Sequence, residues 1–390
     1  MKVAALITGS ELLDGHVTDT NTGHLARELA SVGISLSRTM SVRDMQGEIS
    51  ATLAALAGTN DLVVVSGGIG PTDDDVTMNA VALSTGTTVA DGIPSCARRL
   101  ENRAGTADGA HLKIGTADVF VFPGVPLEFE FFVREHLLTF LEGRSSGEVT
   151  GSRVIKAFGL GEARINELVG AGISAIDCLK LSYLPVFPEI HLRMSSTGTS
   201  DQNTIALDCG EKVIRDALGD AVWGVGDETL PLVLGNRLRL AGLTLALGES
   251  CTGGMVSEMV TSAPGSSEYF LLGAVTYSNA AKMAVLGVPG QILDTKGAVS
   301  SETVHAMCAG LRRVSGADCV AAVSGIAGPG GGTADKPVGT VHFCVDMTGR
   351  MHHEHLVVDR GREKFRKLVS YRLLWQIWKM AGEHKAGKVT

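Results

Sequence analysis

Aromatic residues, charged residues and runs of basic residues are all scarce in this chain of 390 residues. Aromatic residues make up 5% and charged residues 19%, and Lys and Arg occur together only in short pairs such as Arg312 and Arg313. A stripe of basic residues is the usual electrostatic footprint of a protein that binds nucleic acid. Its absence, together with a net charge of −8, argues against a nucleic-acid partner.

Paired cysteines and long apolar runs are also missing. The seven cysteines are an odd number without CxxC or CxxH spacing, so we expect neither a disulfide framework nor a zinc site. The apolar runs fall far short of the ~18 residues of a membrane span. The first residues, MKVAALITGSELL, indicate a strand rather than a signal peptide. These absences predict a cytoplasmic protein without a membrane partner.

What the chain does contain is glycine, at 49 positions, and apolar segments that alternate between helical and strand patterns. Such alternation is typical of a parallel sheet with crossover helices, the α/β class. The predicted strands cover residues 2–8, 62–65 and 243–247, and the predicted helices cover 21–32, 49–56, 229–240 and 255–261.

Two interruptions of this pattern predict three domains. The polar segment 144–152 ends the first α/β region, and a new one starts after Gly226. We therefore predict an N-terminal domain over 1–145, a small α+β subdomain over 146–227 and a C-terminal α/β domain over 228–390.

The strongest chemical signals lie in the C-terminal domain. Strand 243–247 runs into GESCTGG, which places Ser250 at a strand end, where ligands bind in open α/β sheets. Amides of a glycine-rich turn that opens a helix can bind an anion. The alternative is an ordinary tight turn without a ligand.

Lys282 is the second signal, one turn inside a predicted helix that Ser278 caps and Gly287 ends. If the lysine is buried, its pKa falls and the amine can take a proton from a serine hydroxyl. The alternative is a solvated surface charge.

A glycine-rich loop and a basic helix start complete this set. Residues 323–332 contain five glycines, which lets backbone amides approach a developing negative charge; the alternative is a flexible connection. Residues 359–367 are basic, and Arg360 or Arg362 at the start of the last helix could bind a phosphate.

Six motifs follow one another between residues 248 and 341: GESCTGG, GSS at 265–267, VTYSNAAK, GAVS at 297–300, SGIAGPGGG and KPVGTV. Together they resemble the C-terminal domain of the CinA family (competence/damage-inducible protein A), which is similar to the stand-alone PncC nicotinamide-nucleotide amidases. The resemblance implies hydrolysis of the carboxamide of nicotinamide mononucleotide to nicotinate mononucleotide and ammonia, without a metal or cofactor.

The resemblance also implies residue roles. Ser250 corresponds to the nucleophile, Lys282 to its general base, and Tyr277 to a residue close to the reacting amide. The residues that would bind the substrate are Thr252, Gly253, Gly254, Ser266, Ser324, Gly325 and Arg362.

The N-terminal region contains GSELLDG at 9–15, DTN at 19–21, SGGIGPTDDDVT at 66–77 and FPGVPLE at 122–128. Through these segments, residues 1 to about 140 resemble the CinA N-terminal domain, which shares the three-layer molybdopterin-binding fold of the MoaB and MogA proteins. The resemblance implies a phosphate loop and a divalent metal that supports ADP-ribose pyrophosphatase activity. Acidic residues at a helix N-terminus, without a metal, are the alternative. The chain also lacks the family's NxxQA segment between 91 and 122. The phosphate-loop residues are Gly67, Gly68, Gly70 and Thr72, and the metal candidates are Glu11, Asp74 and Asp75.

Several alternatives stay open at this point. Cys251 could compete with Ser250 as the nucleophile. A metal site at His352, His353 and His355 is a further alternative, but alternation along a strand puts His352 and His353 on opposite faces and argues against it. The alternative to an enzyme is a non-catalytic regulatory protein that binds a molybdopterin or a nucleotide. The expected partners are small nucleotide substrates and a second copy of the chain in a homodimer.

Overall fold

The computed structural model describes residues 1–142 and 149–386. The chain forms two compact units. Unit 1 comprises 1–152, 176–180 and 195–210, and unit 2 comprises 153–175, 181–194 and 211–390. The three predicted domain boundaries stay a prediction.

A six-stranded sheet organises the N-terminal region, in the order β2-β1-β3-β8-β7-β6. Strands β1, β2, β3 and β8 are parallel, and β6 and β7 are antiparallel additions. The strands are β1 (Val3–Thr8), β2 (Leu36–Val42), β3 (Leu62–Ser66), β4 (Val89–Ala90), β5 (Ile93–Pro94), β6 (Arg98–Leu100), β7 (Gly109–Ile114) and β8 (Ala117–Phe122).

Helices cover both faces of this sheet. Leu53 and Val81 pack with Leu6 on one face, whereas Leu25 and Phe129 pack with Ile7 on the other. Helices on both faces of the sheet make the three layers that the resemblance to the MoaB and MogA fold implies. The helices are α1 (Ser10–Leu13), α2 (Asn21–Ser31), α3 (Gln46–Ala57), α4 (Thr77–Thr85), α5 (Pro126–Phe132) and α6 (Thr139–Leu141), with a π-helical turn at Val133–Leu138.

The middle of the chain forms a second sheet, in the order β10-β11-β9-β12. This α+β arrangement agrees with the expectation for the middle segment. Its elements are β9 (Val149–Ala157), α7 (Glu162–Ser174), β10 (Leu179–Val186), β11 (Glu189–Gly198), α8 (Ser200–Leu218) and β12 (Val222–Val225).

The C-terminal region contains a five-stranded sheet in the order β14-β13-β15-β16-β17. One face packs on α9, α10 and α14, and the other packs on α11, α12 and α13. The mixed α/β fold class is confirmed. The elements are α9 (Leu230–Ala241), β13 (Leu245–Glu249), α10 (Met255–Thr261), β14 (Phe270–Val275), α11 (Asn279–Leu286), α12 (Gly290–Lys296), α13 (Ser301–Ser315), β15 (Cys319–Gly325), β16 (Thr340–Met347), β17 (Arg350–Val357) and α14 (Gly361–Ala386).

The predicted parallel sheet with crossover helices is wrong for residues 340–357. Strands β15, β16 and β17 pair antiparallel. Only Thr348 and Gly349 separate β16 from β17, and both have positive φ, 50° and 91°. Two residues with positive φ form the tight turn that matches the twist of a hairpin. A crossover helix would need a dozen or more residues.

Within residues 1–142 and 149–386, no helix combines the length and the apolar character that a membrane crossing requires.

Candidate active site

The end of strand β13 places Ser250 beside the start of helix α11. Strand β13 lies between β14 and β15 in the sheet, and all three are parallel, so their carboxyl ends lie at one edge. Ser278 caps α11 by accepting the N–H of Ala281 at 3.1 Å. Gly287 ends the helix with a positive φ of 66°. The predicted helix, its cap and its end are therefore all present.

Lys282 and Ser250 meet in the interior of the protein. The Lys282 side chain is 1% exposed and Ser250 is 8% exposed. Lys282 Nζ lies 3.0 Å from Ser250 Oγ, 2.8 Å from the main-chain oxygen of Thr276 and 3.4 Å from that of Tyr277. The alternative of a solvated lysine is therefore wrong.

Burial changes the pKa of Lys282. Desolvation lowers the pKa of Lys282 from its ordinary value. Lys282 forms no ion pair with a carboxylate within residues 1–142 and 149–386 that would hold its proton. The amine therefore loses its proton at a lower pH than an exposed lysine does.

Cys251 is a poor competitor for the role of nucleophile. Burial raises the pKa of its thiol to about 12, and the nearby Glu249 carboxylate adds to this rise. The thiolate, not the thiol, is the nucleophilic form of cysteine. At neutral pH the Cys251 side chain is therefore protonated, which leaves Ser250 as the better candidate.

Glu249 is a buried residue of this site that the sequence analysis missed. Its carboxylate accepts the amide N–H groups of Gly254, Val256 and Ser257 at 2.8–3.1 Å. These are the amides at the start of α10. The expectation that they bind a ligand anion is thus wrong for these three, because the protein's own carboxylate occupies them. The only signal in the sequence is a carboxylate eight residues before Ser257.

Arg362 contacts two segments of the site. Its Nη1 donates to the main-chain oxygen of Gly328 at 3.0 Å, and its Nη2 donates to the Tyr277 hydroxyl at 3.1 Å. The Tyr277 side chain is 58% exposed, and its hydroxyl contacts Arg362 rather than Ser250. Arg360 instead lines a separate groove with Phe158. Of the two arginines, Arg362 is the one placed at this site.

Arg366, one turn further along α14, is a second residue that the sequence analysis missed. Its Nε and Nη2 both donate to the main-chain oxygen of Thr252, at 3.0 and 2.7 Å. Gly253, the next residue, has a φ of 61°, a conformation that favours glycine. The hydroxyl of Thr252 is buried and has no hydrogen-bond partner among the described residues. Arg366 therefore holds the turn that follows Ser250.

Ser324 and Gly325 lie at the end of β15, next to β13. The Ser324 hydroxyl is buried and donates to the main-chain oxygen of Ala298 at 2.7 Å. A Cβ on Gly325 would lie 2.8 Å from the main-chain oxygen of Thr340. Ser324 thus binds a neighbouring segment at the edge where Ser250 lies, and the lack of a side chain at Gly325 lets the main chain of Thr340 approach closely.

Ser266 is a predicted substrate-binding residue that the structure does not bring to Ser250. It precedes β14, whose Phe270 pairs with Leu245 at the start of β13. Ser250 follows Glu249 at the other end of β13. Because the two strands are parallel, Ser266 and Ser250 of one chain lie at opposite edges of the sheet.

In the N-terminal region, a cavity of about 210 Å³ contains most of the predicted residues. Glu11, Asp74 and Asp75 line it together with the phosphate-loop residues Gly67 and Gly68. The glycine loop follows β3 and precedes α4. Gly70 contributes to a different cavity.

The predicted metal triad does not form a metal site in this arrangement. Asp75 accepts hydrogen bonds from the amide and the hydroxyl of Thr72. Burial raises the pKa of Asp75, but hydrogen bonds from Thr72 and Gly70 outweigh it, so the net pKa is lowered. Among the described residues, no three His, Cys, Asp or Glu side chains are arranged to hold a metal ion. The Asp75 carboxylate is therefore already hydrogen-bonded within its own loop.

The histidines near the C-terminus form a cluster that the sequence did not reveal. His353 Nε2 lies 3.1 Å from His342 Nδ1, and the His342 ring stacks on His355 with 4.4 Å between centroids. His305 contacts His353 from α13, whereas His352 packs against Phe343 on the other face. Burial, followed by the neighbouring histidines, lowers the pKa of His342 to about 4. The opposite orientation of His352 and His353 is therefore correct.

Three family models match the chain, and together they span most of its length. They are the probable molybdopterin binding domain over residues 4–143, the damage-inducible protein CinA KH domain over 152–224 and the CinA C-terminal domain over 227–378.

Curated relatives extend over nearly the whole chain. A CinA-like protein of Geobacter sulfurreducens is 39% identical and covers 88% of this chain and 91% of its own length. A putative competence-damage inducible protein of Moorella thermoacetica is 36% identical and covers 97% of this chain and 98% of its own length. A crystal structure of competence damage-inducible protein A from Klebsiella pneumoniae is 31% identical, covers 38% of this chain and 93% of that chain, and has a TM-score of 0.38.

Proposed function

The chain belongs to the CinA family, and we propose that its C-terminal domain hydrolyses the carboxamide of nicotinamide mononucleotide to nicotinate mononucleotide and ammonia. The observation that carries this proposal is the 3.0 Å separation of Lys282 Nζ and Ser250 Oγ inside the protein. An amide is a poor electrophile, so its hydrolysis needs an activated nucleophile and a proton source for the leaving amine. This pair can supply both.

The contacts of Lys282 explain how it would act as the base. A neutral amine has two N–H donors and one lone pair. The main-chain oxygens of Thr276 and Tyr277 accept the two N–H donors. The lone pair is then directed at the third neighbour, the Ser250 hydroxyl, whose proton it can accept.

In the first half-reaction, the Ser250 proton passes to Lys282 as Oγ bonds to the carboxamide carbon. The tetrahedral intermediate then collapses, the C–N bond breaks, and Lys282 returns the proton to the departing ammonia. This leaves an ester between Ser250 and the nicotinate group. In the second half, Lys282 takes a proton from water as the water oxygen bonds to the ester carbon. The C–O bond to Ser250 then breaks, and Lys282 returns the proton to Oγ, which leaves nicotinate mononucleotide and the free serine.

Arg362 is our candidate for the substrate phosphate. Its two contacts, with Gly328 and Tyr277, are to uncharged oxygens. Within residues 1–142 and 149–386 it forms no ion pair with a carboxylate. Its charge is therefore available to an anionic ligand, and a guanidinium matches the geometry of a phosphate. Of the other candidate binding residues, Thr252 and Gly253 lie on the turn that follows Ser250, whereas the amide of Gly254 is already bound by Glu249. Ser324 and Gly325 lie at the end of β15.

We propose no metal or cofactor for this amidase chemistry. For the N-terminal domain, the side chains of Glu11, Asp74 and Asp75 do not fit a divalent metal as they stand, since Asp75 is bound to Thr72. We therefore derive no ADP-ribose pyrophosphatase step. Release of AMP from ADP-ribose by the pure protein with Mg²⁺ would show that the loop rearranges.

The regulatory alternative, a homodimer and a cytoplasmic location stay predictions. The amidase itself is tested by measuring ammonia release from nicotinamide mononucleotide by the full chain and by Ser250→Ala. We expect the wild type to release ammonia and the variant to lose this activity by a factor of about 10³ or more. An inactive wild type, or a fully active variant, would refute the proposal.

A further inference from the structure

Glu249 lies immediately before Ser250, and its side chain is fully buried. Oε2 accepts the amide N–H groups of Gly254 at 3.0 Å and Val256 at 3.1 Å. Oε1 accepts the amide N–H of Ser257 at 2.8 Å and its hydroxyl at 2.7 Å. All four partners are donors, which is the pattern that a carboxylate requires when it is removed from water.

The four contacts stabilise the start of helix α10. The first amides of a helix have no partner within the helix, and the residue before α10, Gly254, has no side chain to cap it. The Glu249 carboxylate caps the helix instead, from the other end of the turn, and a negative charge at a helix N-terminus is favourable. Residues 250–253 are thereby closed into a tight turn between Glu249 and the amides that it binds.

The main chain of Glu249 is also connected to the lysine. Its carbonyl oxygen accepts the N–H of Thr276 at 2.8 Å. The carbonyl oxygen of Thr276 in turn accepts a hydrogen bond from Lys282 Nζ at 2.8 Å. Glu249 therefore links the turn that carries Ser250 to the residue that orients Lys282.

We propose that Glu249 is a positioning residue for the Ser250–Lys282 pair. Its carboxylate fixes the turn that carries the serine without touching the substrate, and this role rests on the proposed amidase function. Within the described residues, Glu249 has no ion pair with Lys, Arg or His. Its carboxylate is thus committed to the four donors of Gly254, Val256 and Ser257.

Replacement of Glu249 by glutamine, in the full chain, tests this role. Gln keeps the shape of Glu but presents an NH₂ group to donors that need an acceptor, so at least one pair of contacts is lost. A displacement of about 1 Å in an active site can reduce the rate by about 100-fold. We expect Glu249→Gln to lower kcat by about that factor while KM changes by less than about threefold.

The matched control is Glu258→Gln, the same change at an exposed carboxylate on α10. It should leave both kcat and KM as in the wild type. Ser257→Ala removes only the hydroxyl donor to Glu249, so it should lower kcat less than Glu249→Gln does. Equal kcat in Glu249→Gln and Glu258→Gln would overturn the proposal.

Amide hydrogen exchange separates positioning from a general loss of stability. We expect faster exchange in Glu249→Gln over residues 250–257 only, with the circular dichroism unchanged. Faster exchange over the whole C-terminal domain, or no change at 250–257, would overturn the proposal. Should the wild type release no ammonia from nicotinamide mononucleotide, the proposed function fails, and the exchange pattern alone then decides whether Glu249 holds the turn.

Discussion

Arg362 and Tyr277 are joined by a hydrogen bond of 3.1 Å between Nη2 and the phenol oxygen. Tyr277 belongs to the segment that leads into the helix of Lys282, and Arg362 belongs to the first turn of α14. The same guanidinium binds the main chain of Gly328 in the glycine-rich loop. One cation thus contacts two segments that the sequence predicts to surround the substrate.

From this position we predict that Arg362→Ala weakens recognition of the phosphate. KM for nicotinamide mononucleotide should rise by about tenfold or more, since a hydrogen bond to a charged group contributes about 1.5–3 kcal/mol. Nicotinamide riboside, which lacks the phosphate, should be affected much less. Arg360→Ala is the matched control and should leave KM unchanged. An effect of equal size on the riboside would refute a phosphate contact.

Lys282 predicts the pH dependence of the reaction. Burial lowers its pKa from the ordinary 10.5, and the unprotonated amine is the active base. We therefore expect kcat/KM to rise with pH and to level off below pH 10.5. Lys282→Arg should be inactive throughout, because a guanidinium does not release its proton. A rate that falls with rising pH over this range would contradict the assignment.

Cys251 offers a test of which side chain attacks the amide. Because burial raises the pKa of its thiol to about 12, it supplies almost no thiolate at neutral pH. We predict that Cys251→Ala keeps kcat within about threefold of the wild type, whereas the loss of a true nucleophile costs orders of magnitude. Ammonia release by this variant and by Ser250→Ala should be compared in one assay. An inactive Cys251→Ala that remains folded would assign the attack to the thiol.

Removal of metals should not affect the amidase. The proposed steps use only Ser250, Lys282 and water. Ammonia release after dialysis against EDTA should therefore equal that of the untreated protein. The comparison must be repeated after adding back Mg²⁺, Mn²⁺ or Zn²⁺ separately. Loss of activity on chelation and recovery with one of these ions would contradict a metal-free reaction.

The KH-like segment leads to a prediction about nucleic acid. KH domains clamp a nucleic-acid backbone with a GXXG loop. Residues 152–224 contain no GXXG sequence and carry seven Lys or Arg against nine Asp or Glu. We expect no change in fluorescence anisotropy when micromolar protein is added to labelled single-stranded RNA or DNA at 150 mM salt. Saturable binding that weakens with salt would show otherwise.

Motifs and periodicity predict much of this site because they depend on local sequence. The strand before Ser250, the cap at Ser278 and the helix end at Gly287 all follow from residues within a few positions of one another. The antiparallel hairpin at 340–357 could not be predicted from local motifs in this way, since threonine, here Thr348, is uncommon in a conformation with positive φ.

Contacts between distant segments account for the other differences. Arg366 and Thr252 are 114 positions apart, and no pattern in the sequence links them. Ser266 was expected near the substrate because its motif accompanies the others, but the parallel pairing of β13 and β14 places it at the far edge. The cluster of His305, His342, His353 and His355 likewise depends on which strands are neighbours.

The buried position of Lys282 also has a cost for the fold. Since the folded chain holds this amine with a lowered pKa, the unfolded chain binds a proton more readily between the two pKa values. In that interval the free energy of unfolding falls as the solution becomes more acidic. Below the lowered pKa both the folded and the unfolded chain bind this proton. The contribution of Lys282 to the free energy of unfolding then no longer changes with pH and stays at its lowest value. The protein thus gives up resistance to denaturation in order to keep a reactive amine away from water.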